Sequence, residues 1–219
     1  MGSNKHRVPQ RPTANFYVDG FNLFYGCLKG TQYKWLDLEA LFQLLVPTHD
    51  IKRIRYFTAR ISGRSDKPDS PTKQDAYLRA LATSPKVTIH YGKFLQSVVR
   101  MPLAVSRPGH KTVEVIKTEE KGSDVNLATY LLIDAIRGDC DLAVVVSNDS
   151  DLCEPIRIVK DEYRVPVGLL NPHLHASSDL RKLSPTFQKQ IRKGPLAASQ
   201  FAPQLVNSRG QKISKPADW

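Results

Sequence analysis

Two stretches place carboxylates where a strand should stop. Val144-Val145-Val146-Ser147-Asn148-Asp149-Ser150-Asp151 is an apolar run that ends abruptly in two acids within three residues. Phe16-Tyr17-Val18-Asp19-Gly20-Phe21-Asn22 repeats the pattern near the other end of the chain. A third acid, Asp124, opens a helix-like segment after Lys121-Gly122-Ser123. An apolar run that ends in polar residues is how a buried parallel strand delivers side chains to its carboxyl edge. Carboxylates gathered there repel one another and hold protons more tightly unless a cation is present. Oxygen-only ligands suit Mg²⁺ or Mn²⁺, which can activate water and offset charge in a phosphodiester displacement.

Each junction alone has a plainer explanation. Asp149 can cap a helix, with Asp151 in its first turn favouring the dipole. Asp124 beside a capping Ser123 reads the same way, Asp19-Gly20 can be a turn, and Asn22 can bond the backbone after the strand. The metal reading rests on joint occurrence, three acidic junctions facing one edge. No GxGxxG or Walker-type loop is present, and the three cysteines show no CxxC spacing, so dinucleotide, Walker and zinc sites are not supported. Arg60, at the end of the second expected strand, can hold phosphate. His173 and His175 follow the last expected strand at the same edge.

The elements that must position these residues alternate. Strands are expected at 14–19, 51–61, 87–95, 142–147 and 165–170. Helices are expected at 35–46 with Asp37 as N-cap, 72–84, 123–137 with Ser123 as cap, and 149–163. Residues 97–111 read as an excursion, 112–118 as a short edge strand, and 179–191 as a helical turn or two. This alternation specifies an α/β fold, helices on both faces of a central parallel sheet.

The net charge of +11 is concentrated at the ends. Residues 1–13 hold three bases and no acid, and 181–219 hold eight bases against Asp218, so the middle is nearly neutral. The chain therefore divides into a basic arm (1–13), a folded body (14–192) and a basic tail (193–219) expected to be extended or disordered. Basic ends beside an acidic pocket suit a polyanionic substrate. The odd cysteine count fits a reducing, cytoplasmic setting, and no apolar run approaches the length of a membrane span.

Phe16 to Leu23, Lys121 to Val125 and Ser147 to Leu152 resemble, in order and spacing, the three signature blocks of NYN domains. Over residues 14–192 the chain is similar to the LabA-like (DUF88 type) branch of the PIN-like nuclease superfamily. The resemblance implies a three-layer αβα sandwich of PIN-like (Rossmann-like) topology with strand order about 3-2-1-4-5. It also implies a metal-dependent endoribonuclease site. Asp19, Asp124 and Asp149 would hold Mg²⁺ or Mn²⁺, with Asp151 as a fourth catalytic acid. Asn22 would help position metal-bound water or the acids, and Ser147 and Asn148 would shape the loop and contact phosphate; with Arg60 and Lys121 they are the expected substrate-binding residues, the substrate being RNA. The alternatives are an RNA-binding adaptor with little or no cleavage and, ranked last, a small-molecule phosphatase. No membrane partner is expected, and the sequence is compatible with a homodimer.

Overall fold

The computed structural model describes residues 11–63, 67–107 and 110–219. Residues 1–10 of the basic arm, and Arg64 to Asp66 of the loop after the second strand, lie outside the described residues.

A six-stranded parallel sheet organises the chain. Its strands are β1 (Thr13–Asp19), β2 (Asp50–Thr58), β3 (Val87–Tyr91), β6 (Leu142–Val146), β7 (Val167–Asn171) and β8 (Phe187–Gln190), in the order β3-β2-β1-β6-β7-β8. The order is the expected 3-2-1-4-5, with the numbering advanced by an inserted hairpin and a sixth strand added at the edge. The central pair, β1 and β6, is apolar because both faces are covered. Ala14, Phe16 and Val18 alternate with Tyr17 between two hydrophobic layers. One layer includes α2 (Leu38–Leu45), where Phe42 stacks on Phe16 at 4.3 Å. Asp37 caps α2, accepting from the backbone of Glu39 and Ala40, as its position predicts. The other layer holds α4 (Ser123–Ile136) and α5 (Cys153–Asp161), through Leu127, Leu131, Ile156 and Val159. Helix α3 (Ser70–Leu81) places Tyr77 and Leu81 on the first layer. Among the described residues no helix is long and apolar enough to cross a membrane.

Four expectations are corrected. Residues 179–191 are not mainly helical: a short α6 (Ser178–Lys182) is followed by β8. Four residues, three of them polar, carry too little pattern to read as a strand, but Gly168 leaves room for the Phe187 ring to lie across β7. Residues 93–121 are not an excursion plus an edge strand. They form a long antiparallel ribbon, β4 (Lys93–Arg107) with β5 (His110–Lys121). The α4 cap is Gly122, at φ 99°, not Ser123, because the chain leaving β5 turns through a left-handed residue.

The fourth correction concerns the tail, which is structured. It holds α7 (Lys193–Ala198), β9 (Gln204–Val206) and β10 (Lys212–Ser214), the last two an antiparallel pair. Leu196 and Ile213 are buried, and Phe201 and Trp219 meet Trp35 edge-on at 6.0 and 6.3 Å. Trp35 Nε1 donates to the Ala202 carbonyl at 2.9 Å, and the Asp37 amide donates to that of Ser199 at 2.8 Å. Sparse apolar anchors within a basic, proline-containing stretch hold the tail on the α2 and α3 side.

Candidate active site at the acidic sheet edge

Asp19 is the last residue of β1 and the N-cap of α1 (Gly20–Leu23), which widens into a π-helical turn over Phe24–Leu28. Its Oδ1 accepts from the Asn22 amide at 2.9 Å, and its Oδ2 accepts from Ser147 Oγ at 3.0 Å. Gly20 is required here, since a Cβ would lie 2.7 Å from the Phe57 carbonyl and from the Tyr56 ring. Ser147 Oγ also accepts from the Asp149 amide at 3.1 Å, and the Asn148 amide donates to Asn22 Oδ1 at 2.9 Å. The ends of β1 and β6 are therefore latched by side chains where the ladder stops.

The latch extends to the loop after β7. Asn148 Oδ1 accepts from the Ser177 amide at 2.7 Å and its Nδ2 donates to the His175 carbonyl at 3.0 Å. Asn171 and Gln190 both donate to the His173 carbonyl. The Asn148 side chain is thus engaged with backbone and shapes the loop, with one N–H of Nδ2 not used in these bonds. Asp149 does cap the short 3₁₀ turn Ser150–Leu152, accepting from the Asp151 amide at 3.0 Å. Capping takes one oxygen and leaves the carboxylate in the pocket.

Asp124 arrives from the other side. Glu120, at the root of β5, accepts from Ser123 Oγ at 2.6 Å and from the Ser123 amide at 3.2 Å, fixing the first turn of α4. Burial, then the charges of Asp19, Asp149, Glu120 and Asp151 in that order, push the Asp124 carboxyl up to about 6. Asp19 is also raised, by burial first and with Asp149 adding, against the opposing bonds from Asn22 and Ser147. Beside its burial, Asp124 therefore lies within reach of the charges of Asp19, Asp149, Glu120 and Asp151. Glu120 is a fifth acid that the sequence reading missed. Its signal was an acid three residues before Ser123, in position to hold that residue's hydroxyl.

Two expected substrate contacts are paired with acids outside the cluster. Arg60 pairs with Asp75 at 3.1 Å and lies over the Tyr91 ring at 5.1 Å. Lys121 is 3.7 Å from Glu119 on the ribbon. Both are exposed.

The donor chemistry, all carboxylate oxygen, suits a hard divalent cation. The spacing does not enclose one: among the described residues no group of three or more Asp, Glu, His or Cys side chains could hold an ion as placed. The convergence is therefore one of charge, and the carboxylates would have to draw inward on a cation.

The sign of the Asp124 shift gives a stability prediction. A carboxyl that titrates near 6 folded and near 3.8 unfolded leaves the native state with more protons between those values, so its contribution falls as pH rises from about 4 to about 6. In chelator, Asp124→Asn is expected to melt close to the unaltered protein at pH 4 and above it at pH 7. Thermal melts at four pH values check this, and parallel curves would contradict the repulsion.

Comparisons with known proteins follow this geometry. The chain is 33% identical over 232 residues to 6-hydroxy-3-succinoylpyridine 3-monooxygenase HspA of Pseudomonas putida, covering 93% of this chain and 74% of that protein. A crystal structure of a protein of unknown function from Vibrio parahaemolyticus superposes with a TM-score of 0.55 at 15% identity. That match covers 92% of this chain and all of the other, and shows the fold alone. The NYN domain model matches residues 14–191, from the strand that carries Asp19 to just beyond the sixth strand of the sheet. With that span enclosing every acid of the pocket, the chain belongs to the NYN domain family.

Proposed function

We propose that this protein is a ribonuclease that hydrolyses phosphodiester bonds with Mg²⁺ or Mn²⁺ held by Asp19, Asp124 and Asp149. The observation that carries the reading is the placing of Asp19, Asp124 and Asp149 at one sheet edge, where burial, then the charges of Asp19, Asp149, Glu120 and Asp151, raise the Asp124 carboxyl. Family membership favours the same chemistry. When bound, such a cation supplies Lewis acidity and offsets the charge that builds on the phosphate. The chain's own residues do the positioning. Ser147 and the Asn22 amide fix both oxygens of Asp19, and Ser147 sets the backbone at Asp149. Asp151 stands in the first turn after Asp149 as the fourth acid. Arg60 and Lys121 are exposed cations that draw phosphate toward the edge, helped by a net charge of +11.

The relative from Pseudomonas putida supports a second reading, in which the chain oxygenates a hydroxypyridine. A monooxygenase of this kind needs an electron donor besides O₂, since one of the two oxygen atoms leaves as water. The two readings separate in one set of assays. Labelled single-stranded RNA is incubated with the protein and Mn²⁺ or Mg²⁺, with and without chelator. In parallel, oxygen uptake is followed with 6-hydroxy-3-succinoylpyridine and reduced nicotinamide. Cleavage that chelator abolishes is the expected result. Intact RNA together with oxygen uptake would replace the first reading with the second, and RNA binding without cleavage under either metal would make the protein an adaptor.

A further inference from the structure

Among the described residues three aromatic side chains are exposed: Tyr25 at 59%, Tyr91 at 43% and Tyr163 at 42%. Two of the three stand at the edge that carries the acids, and they bracket it. Across the sheet Asp19 pairs with Phe57 and Phe57 with His90, so Tyr91 ends β3 one residue past the level of Asp19. Two strand spacings put its backbone about 10 Å from that of Asp19. Its carbonyl accepts from Asn126 Nδ2 at 3.4 Å, in the same first turn of α4 that holds Asp124. Tyr25 lies on the other side of the acids. It comes six residues after Asp19 in the helical segment that Asp19 caps, a rise of about 9 Å. Its neighbour Gly26 abuts the loop after β7, where a Cβ would lie 2.9 Å from both the Pro172 and the His173 side chains. Along the edge, then, Tyr91 stands at the β3 end, the acids in the middle and Tyr25 toward β7.

Each of these two rings carries a cation. Lys29 Nζ lies 4.8 Å from the centre of the Tyr25 ring, and the Arg60 guanidinium 5.1 Å from that of Tyr91. Tyr163 follows α5 at the opposite edge of the sheet, and among the described residues no Lys or Arg lies over its ring. An exposed aromatic ring beside a fixed cation suits a nucleotide, since the ring can take the base and the cation a phosphate. We propose that Tyr25 and Tyr91 stack bases of one RNA strand on either side of the acids, drawing the backbone between them across Asp19, Asp124 and Asp149. The choice of RNA rests on the ribonuclease reading; the bracketing of the acids by two rings does not. Two open platforms on opposite sides of a cluster suit a strand that crosses it, and neither encloses a single small ring. Stacking is tolerant of sequence because every base has a π-face, so the pair selects unpaired bases and not a motif. Bases inside a duplex already stack on their neighbours and cannot lie on either tyrosine.

Fluorescence anisotropy of a labelled single-stranded RNA of about 12 nucleotides, in chelator so that nothing is cut, tests the proposal. Tyr25→Ala and Tyr91→Ala are each expected to weaken binding about 10-fold, and the double variant about 100-fold, with unchanged thermal melts. The slope of affinity against salt is expected to stay the same in all three, because no phosphate contact is removed. Tyr25→Phe and Tyr91→Phe keep the ring and are expected to bind as the unaltered protein does. Tyr163→Ala, equally exposed at the far edge, is expected to bind unchanged as well. Alanine variants that bind as tightly as the unaltered protein overturn the proposal. So does a phenylalanine variant as weak as its alanine counterpart, which would assign the effect to the hydroxyl, or an unaltered protein that binds no RNA. Cleavage is read separately with Mn²⁺: stacking losses without any cleavage would overturn the ribonuclease reading and leave the two platforms standing.

Discussion

Replacing Asp149 by asparagine is expected to leave a folded protein whose RNA cleavage falls by about a thousand-fold, equivalent to about 4 kcal/mol of barrier. Asparagine keeps the Oδ1 that accepts from the Asp151 amide, so the cap and the entry into α5 survive. What it removes is one negative charge from a pocket whose other acids already feel it. Ser147→Ala is expected to fall by a smaller factor, about 10- to 100-fold, because the serine only orients Asp19 and the Asp149 backbone. Initial rates on labelled RNA, with melting curves beside them, check both. Equal cleavage by Asp149→Asn and the unaltered protein would remove the acid from the chemistry.

The largest stability effect lies on the α4 side of the sheet, away from the acids. Arg55 donates to both oxygens of Asp134 at 2.7 and 2.8 Å, and the Tyr17 hydroxyl donates to Oδ2 at 2.9 Å. The guanidinium lies over the Tyr130 ring at 4.4 Å, and both ion-pair partners are almost fully buried. His90 sits beside it, and burial, then the Arg55 charge, hold its imidazole down near 4. Removing Asp134 leaves a buried cation without its counter-charge, which costs about 3–5 kcal/mol. Asp134→Ala is expected to lose that much in denaturant unfolding, while Arg55→Met with Asp134→Leu recovers most of it. A double variant as unstable as the single would mean the loss comes from packing, not from the stranded charge.

Legibility followed burial. β1 and β6 were visible because both faces are covered, which makes them continuously apolar, and because acids follow them immediately. The parallel sheet was visible through the alternation of helix and strand, and its order through the resemblance to NYN domains. The ribbon was not, because Pro102 interrupts β4 and neither face is buried in the body, so its alternation carried no contrast with a core. β8 has only Phe187 to mark it, and the tail's anchors, Leu196, Phe201, Ile213 and Trp219, recur too sparsely to give a period. Within the site the acids were legible as residue types at junctions. Asn148 as a loop clamp was not, because it depends on which backbone atoms the fold brings within reach.

The central claim is that Asp19, Asp124 and Asp149 close on a divalent cation that the bare carboxylates do not enclose. Anomalous scattering from crystals soaked in Mn²⁺ tests it most directly. The account predicts an anomalous peak among these three carboxylates at metal-to-oxygen distances of about 2.0–2.3 Å, lost in Asp149→Asn. Mn²⁺ bound elsewhere on the protein, with this edge empty, would contradict it.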